Sequence, residues 1–198
     1  MAAKTQKIMI DGKEFEKIAK NYDSYDALRE KVIIASRAVL KEAKKLIFAL
    51  HRGDGSIDVM SEELDSARNE LEEIIKKDPE LAGEGTYSDA MQEFVEAKSY
   101  YSIKKNGRVP SSTELNVNEE YYLLGICDLP GELVRSAVNA SIRGDYKYVE
   151  TIKDFIEEFY EIMLKFNPRN GSLRKKIDSV KWELNKIEDL VLANKKLK

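Results

Sequence analysis

The sequence predicts an all-α protein, a single-domain bundle of six or seven helices. Three observations carry this. The chain is 42% apolar and 35% charged, with only ten Gly and four Pro in 198 residues, a balance suited to helices rather than strands. Apolar residues recur at helical period through most of its length. Residues Leu173, Ile177, Val180, Leu184, Ile187 and Val191 repeat at intervals of four and three, a heptad seam expected to pack as a bundle core. No strand pattern, internal repeat or low-complexity tract stands out. One domain over 1–198 is expected, with 1–13 as a flexible N-terminus.

In chain order, 14–52 reads as helix, either whole or in two pieces broken near Asn21-Tyr-Asp-Ser-Tyr25. Val32, Val39, Ala43, Leu46 and Leu50 mark its apolar face. Gly53-Asp-Gly-Ser-Ile57 is a turn by its glycines. A second helix is expected over 61–77 with Ser61 as N-cap, ended by Asp78-Pro79. Ala82-Gly-Glu-Gly-Thr86 reads as a flexible joint. The third helix is expected over 88–105 from Ser88, stopped by Asn106-Gly107. A fourth spans 118–143 and contains Pro130, which lacks an amide donor. It either kinks there or restarts with Asp128 as cap. Asp145 can cap a helix over 146–166, and Asn167-Pro-Arg-Asn-Gly171 separates it from the last helix.

Composition also limits function. The formal net charge is −3, with one cysteine, Cys127, and one histidine, His51. A Cys/His zinc site, an intramolecular disulfide and a multi-histidine metal site are excluded. So is a di-iron bundle, which needs Glu-x-x-His on two helices. His51 reads as a helix-end or packing residue, and Cys127 as a buried small side chain. No apolar run reaches the roughly 18 residues of a membrane span, and Met1-Ala-Ala-Lys-Thr-Gln-Lys7 is too short and polar for a signal peptide. A soluble, cytoplasmic protein with no membrane partner is expected.

Two acid pairs stand out. Glu93 and Glu96 bracket Phe94-Val95, and Asp128 and Glu132 sit among Leu123, Leu124, Ile126, Leu129, Leu133 and Val134. Spacings of three and four put each pair on one helix face. Carboxylates on apolar helices are costly to bury without a positive partner. Hard oxygen donors suit Mg²⁺ or Mn²⁺, which acidifies water and neutralises an attacked phosphate. Glu93, Glu96 and Asp128 are the candidate ligands, and Glu132 is a ligand or the base that orients water. Separately, Arg37, Lys41, Lys44, Lys45 and Arg52 fall within roughly a 100° arc of the first helix. They form a stripe about 22 Å long, which is either a solvated face or a track for phosphates.

Gln92-Glu-Phe-Val-Glu-Ala97 followed by Tyr122-Leu-Leu-Gly-Ile-Cys-Asp-Leu-Pro-Gly-Glu-Leu133 resembles the translin/TRAX family of nucleic-acid-binding proteins. Ser36-Arg37 and Lys44-Lys-Leu-Ile-Phe-Ala-Leu-His-Arg52 extend the likeness, which covers roughly 26–193. Gly83-Glu-Gly-Thr-Tyr87 stands where translin has an Arg/His-rich patch. Pro130 replaces the threonine common in the Asp-Leu-Thr-Gly-Glu run. Both acid pairs match the acidic site of catalytically competent members. The resemblance is therefore to an archaeal TRAX-like member, translin-associated factor X being the relative meant. It implies about seven helices and a closed oligomeric barrel, typically an octamer, here a homo-oligomer. It also implies binding of single-stranded RNA or single-stranded DNA and Mg²⁺/Mn²⁺-dependent endoribonuclease activity. A non-catalytic nucleic-acid-binding assembly is the alternative, and a helical scaffold without nucleic acid is a third.

Overall fold

The structure, a computed structural model, describes residues 10–196. They form eight α-helices, one of them a single turn, and no strand among the described residues. The expected all-α bundle is present. Residues 1–9 of the expected flexible N-terminus lie outside the described residues, and Asp11 already accepts from the amides of Lys13 and Glu14 as the first N-cap.

Helix α1 (Gly12–Arg52) is continuous, not broken near Asn21. Asn, Asp and Ser each lower helix propensity only by fractions of a kcal/mol, and neither Gly nor Pro interrupts them. Ser24 Oγ donates to the Lys20 carbonyl at 3.0 Å, a bond made inside a helix. Residues 12–24 are all exposed, whereas Val32, Val39, Ala43 and Leu46 are fully buried. Gly53 ends α1 at φ 69°, where an L side chain would be strained.

Helix α2 (Ile57–Ile75) starts earlier than expected, with Ser56 in the N-cap place. Ser61 therefore lies inside the helix, where it is buried and accepts from Lys98 Nζ at 2.6 Å. A 3₁₀ turn (Pro79–Gly83) then leads directly into α3 (Gly85–Asn106), so the expected joint is ordered and Ser88 is not the cap. Ser88 Oγ instead accepts from Gln92 Nε2 at 3.0 Å.

A single turn, α4 (Ser112–Leu115), precedes α5 (Glu119–Ile126) and α6 (Leu129–Ile142). The fourth expected helix is thus two helices. Pro130 occupies the first turn of α6, where its missing amide costs nothing. Asp128 holds the N-cap place but makes no side-chain cap bond. Helix α7 (Tyr146–Met163) is capped by Asp145, which accepts from the Tyr148 amide at 3.1 Å. Helix α8 (Ser172–Lys196) turns its heptad seam inward against α6 and α7, with Ile177, Val180 and Ile187 buried. No helix of the described residues is long and apolar enough to cross a membrane.

Candidate metal centre and nucleic-acid face

Helix α3 lies against α1 on one side and α5 on the other, and this sandwich places the acids. Phe94, Ala97 and Tyr100 enter the core, which leaves Glu93 and Glu96 on the edge facing α5 and α6. Gly125 allows α5 to come close. A Cβ there would sit 2.4 Å from the Gln92 carbonyl oxygen and 2.8 Å from Val95 Cβ. The chain then turns at Cys127 and Asp128, and α6 brings in Glu132 one turn later. All four acids line one cavity of about 430 Å³, together with Lys44, Ile47 and Phe48 of α1 and Arg135 of α6.

Burial and mutual repulsion shape this cavity. Glu96 is only 9% exposed. Burial pushes its carboxyl up to about 8, and the charges of Asp128, Glu93 and Glu132 add to the effect. Burial also raises Glu93, opposed first by Lys44. Positive charge has been drawn to the other two acids. Asp128 Oδ2 bonds Lys176 Nζ of α8. Glu132 Oε2 bonds His51 Nε2 and lies 3.7 Å from Arg135 Nη1. His51 Nδ1 lies 3.3 Å from Tyr100 Oη. The two histidine contacts are satisfied together when the tyrosine donates to Nδ1 and Nε2–H donates to Glu132.

The donor set fits Mg²⁺ or Mn²⁺ in type and number, since all four groups are carboxylates. They are not drawn into a cluster: among the described residues no three His, Cys, Asp or Glu side chains converge on a metal position. Lys176 and His51 hold two of the four acids aside.

Every cation of the stripe, Arg37, Lys41, Lys44, Lys45 and Arg52, is exposed on α1. Lys45 is paired with Glu42 at 2.8 Å. Lys44 belongs to both stripe and acidic cavity, so the two features adjoin. Arg52 lines a second cavity further along. Phe48, 53% exposed, lies under the Arg135 guanidinium at 5.1 Å. Sequence reasoning missed Lys176 and the role of His51, because each meets the acids from a distant element, and it passed over Arg135, which lies one turn from Glu132 on α6. Cys127 is buried, and burial pushes its thiol up to about 12.

An acid-lined cavity within a bundle of this topology identifies the class: the chain belongs to the Translin family, whose model it matches over residues 27–195. It is 34% identical to the uncharacterized protein MJ0175 of Methanocaldococcus jannaschii over 181 residues, 87% of this chain and 79% of that one. Translin-associated protein X of Pongo abelii is 26% identical over 235 residues, 95% and 78% of the two chains. Human translin matches at 37% over 76 residues, only 38% of this chain and 33% of its own. Among solved structures, apo-NeC3PO superposes with a TM-score of 0.84 at 28% identity, over 95% of this chain and 100% of that one. The AfC3PO complex with duplex RNA gives 0.79 at 28% identity, over 93% and 98%.

Proposed function

We propose that this chain is a metal-dependent endoribonuclease that binds single-stranded RNA, and single-stranded DNA as a second ligand, within a homo-oligomeric barrel, an octamer. The observation that carries the reading is that Glu93, Glu96, Asp128 and Glu132 line one cavity together with Lys44 of the α1 stripe. The duplex RNA in a related AfC3PO complex supports RNA as the ligand class.

Glu93, Glu96 and Asp128 would hold Mg²⁺ or Mn²⁺, with Glu132 as a further ligand or as base. The ion supplies charge neutralisation at the attacked phosphate and acidifies water. The remaining work falls to this chain's own groups. Lys44 and Arg135, at the cavity, offset the charge of an entering phosphodiester. Arg37 and Lys41 hold the flanking backbone without reading sequence. Glu132 takes a proton from the attacking water, and His51 Nε2, bonded to it, fixes the carboxylate's orientation. Since water attacks and the RNA 2′-hydroxyl takes no part, the products carry a 5′-phosphate and a 3′-hydroxyl.

The test is cleavage of a labelled single-stranded RNA with Mg²⁺ or Mn²⁺, against EDTA, Glu96→Gln and Asp128→Asn. Metal-dependent cutting that both substitutions abolish, with RNA binding retained, is the expected result. Full activity in Asp128→Asn would remove the assigned site. One observation favours a second reading, a non-catalytic nucleic-acid-binding assembly: Asp128 is already paired with Lys176, and Glu132 with His51 and Arg135. Binding without cutting, in wild type and variants alike, would decide for it.

A further inference from the structure

A second cavity, of about 380 Å³, lies on the other side of His51 from the acids. Arg52 at the end of α1, Lys104 near the end of α3 and Arg143 just past α6 line it, with His51, Ser136 and Asn139. No carboxylate lines it. Among the described residues neither Arg52 nor Arg143 forms an ion pair. Lys104 is fixed, donating to Ser136 Oγ at 2.9 Å and to Tyr148 Oη at 3.0 Å. Its ammonium lies 5.5 Å from the Tyr100 ring centre and 4.9 Å from that of Tyr148. An ammonium has three donors, so one is left for a ligand.

Three cations from three helices around one cavity repel each other unless an anion sits among them. Two guanidiniums, an ammonium and the Ser136 and Asn139 side chains make a donor set for tetrahedral oxygens. The position adds meaning. Helix α3 carries Glu93, Glu96, Tyr100 and Lys104 along one face, and α6 carries Glu132, Ser136 and Asn139 likewise, with Arg143 at its C-cap. From Glu96 to Lys104 is eight residues, about 12 Å at ~1.5 Å rise. His51 bonds an acid of the first cavity while its ring lines the second.

We propose that this basic cavity is a binding site for a phosphate group, placed about 12 Å along the strand path from the acidic cavity. The phosphate is either a terminal one on the strand or an internal phosphodiester. The choice of an oligonucleotide as its carrier rests on the proposed function; the anion site itself does not.

The experiment measures binding in EDTA of one short single-stranded RNA with a 5′-phosphate, a 3′-phosphate or hydroxyl ends, and of inorganic phosphate by calorimetry. The proteins are wild type, Arg143→Gln, Arg143→Lys and, as a charge control just past the end of α2, Lys77→Gln. Tighter binding of one phosphorylated RNA, with the preference lost in Arg143→Gln and partly restored in Arg143→Lys, supports a terminal phosphate. Equal binding of all three RNAs, weakened severalfold by Arg143→Gln but not by Lys77→Gln, supports an internal phosphodiester. RNA and phosphate binding indifferent to Arg143→Gln overturns the proposal and leaves the proposed function standing. Phosphate bound through Arg143 with no RNA bound overturns the proposed function and keeps the site. Neither ligand bound overturns both.

Discussion

Lys176 bonds Asp128 across 48 residues of chain, so the last helix holds an acid that sits at the break between α5 and α6. That bond answers what Asp128 does at the N-cap place. Its carboxylate is committed to a cation and not to the α6 amides. Under the proposed function, Lys176 would compete with a divalent ion for Asp128.

Lys176→Gln should therefore tighten Mn²⁺ binding. Both side chains are about a third exposed, so solvent screens the pair. A partly exposed pair is worth roughly 0.2–1 kcal/mol, or about 1.4- to fivefold in affinity. Calorimetric titration of wild type, Lys176→Gln and the neighbouring charge control Lys175→Gln checks this. Equal affinity in all three would show that Lys176 does not compete.

Glu96 makes the metal-free protein pH-sensitive. Its folded carboxyl is raised to about 8, above the 4.5 of the free group. Between those values the folded state binds the proton more tightly than the unfolded state. Stability is thus fully present only below the free group's 4.5, falls as pH rises toward 8 and levels off above, a change on the order of a few kcal/mol. Urea unfolding in EDTA from pH 5 to 9 should show the slope, and Glu96→Gln should flatten it.

Gly125→Ala should destabilise the fold by about 1–3 kcal/mol or more, because the new Cβ meets backbone that cannot swing aside. Since α5 must then move off α3, any cleavage activity should fall further than stability alone explains. Chemical denaturation and RNA cleavage, measured on the same preparation, separate the two losses. A neutral substitution would show that the close approach is not needed.

Reversing Arg37 and Lys41 to Glu should weaken RNA binding for every sequence and make its salt dependence shallower. Lys45 is the poorer target, being already paired with Glu42. Fluorescence anisotropy at several salt concentrations gives both quantities. Unchanged affinity would return the stripe to a solvated face.

The helices were legible because their apolar residues keep a 3.6-residue period and because Gly53, Gly107 and Asp145 mark ends by mechanisms that need no partner. The acid pairs were legible for the same local reason: a spacing of three or four is a helix face. What surrounds them was not. His51 and Lys176 reach the acids only after α1 and α8 pack, and nothing near them in sequence announces it, whereas Arg135 is three residues from Glu132 on the same helix. Asn21-Tyr-Asp-Ser-Tyr25 left one helix or two open, and one continuous helix prevailed because weak helix formers delay a helix without stopping it. Pro130 left two outcomes open. The restart prevailed because a proline in a first turn lacks only an amide that had no partner.

The long first helix has a consequence for where the cations sit. Residues 12–24 stand clear of the bundle, and an isolated helical stretch of that length is marginal in water. Their amides can exchange with solvent by fraying alone. From Val32 onward the same helix is clamped by buried side chains, and its amides open only when neighbouring helices part. Arg37 to Arg52 all fall on the clamped half. One unbroken helix thus has two opening energies, and its charged track lies on the half that stays closed.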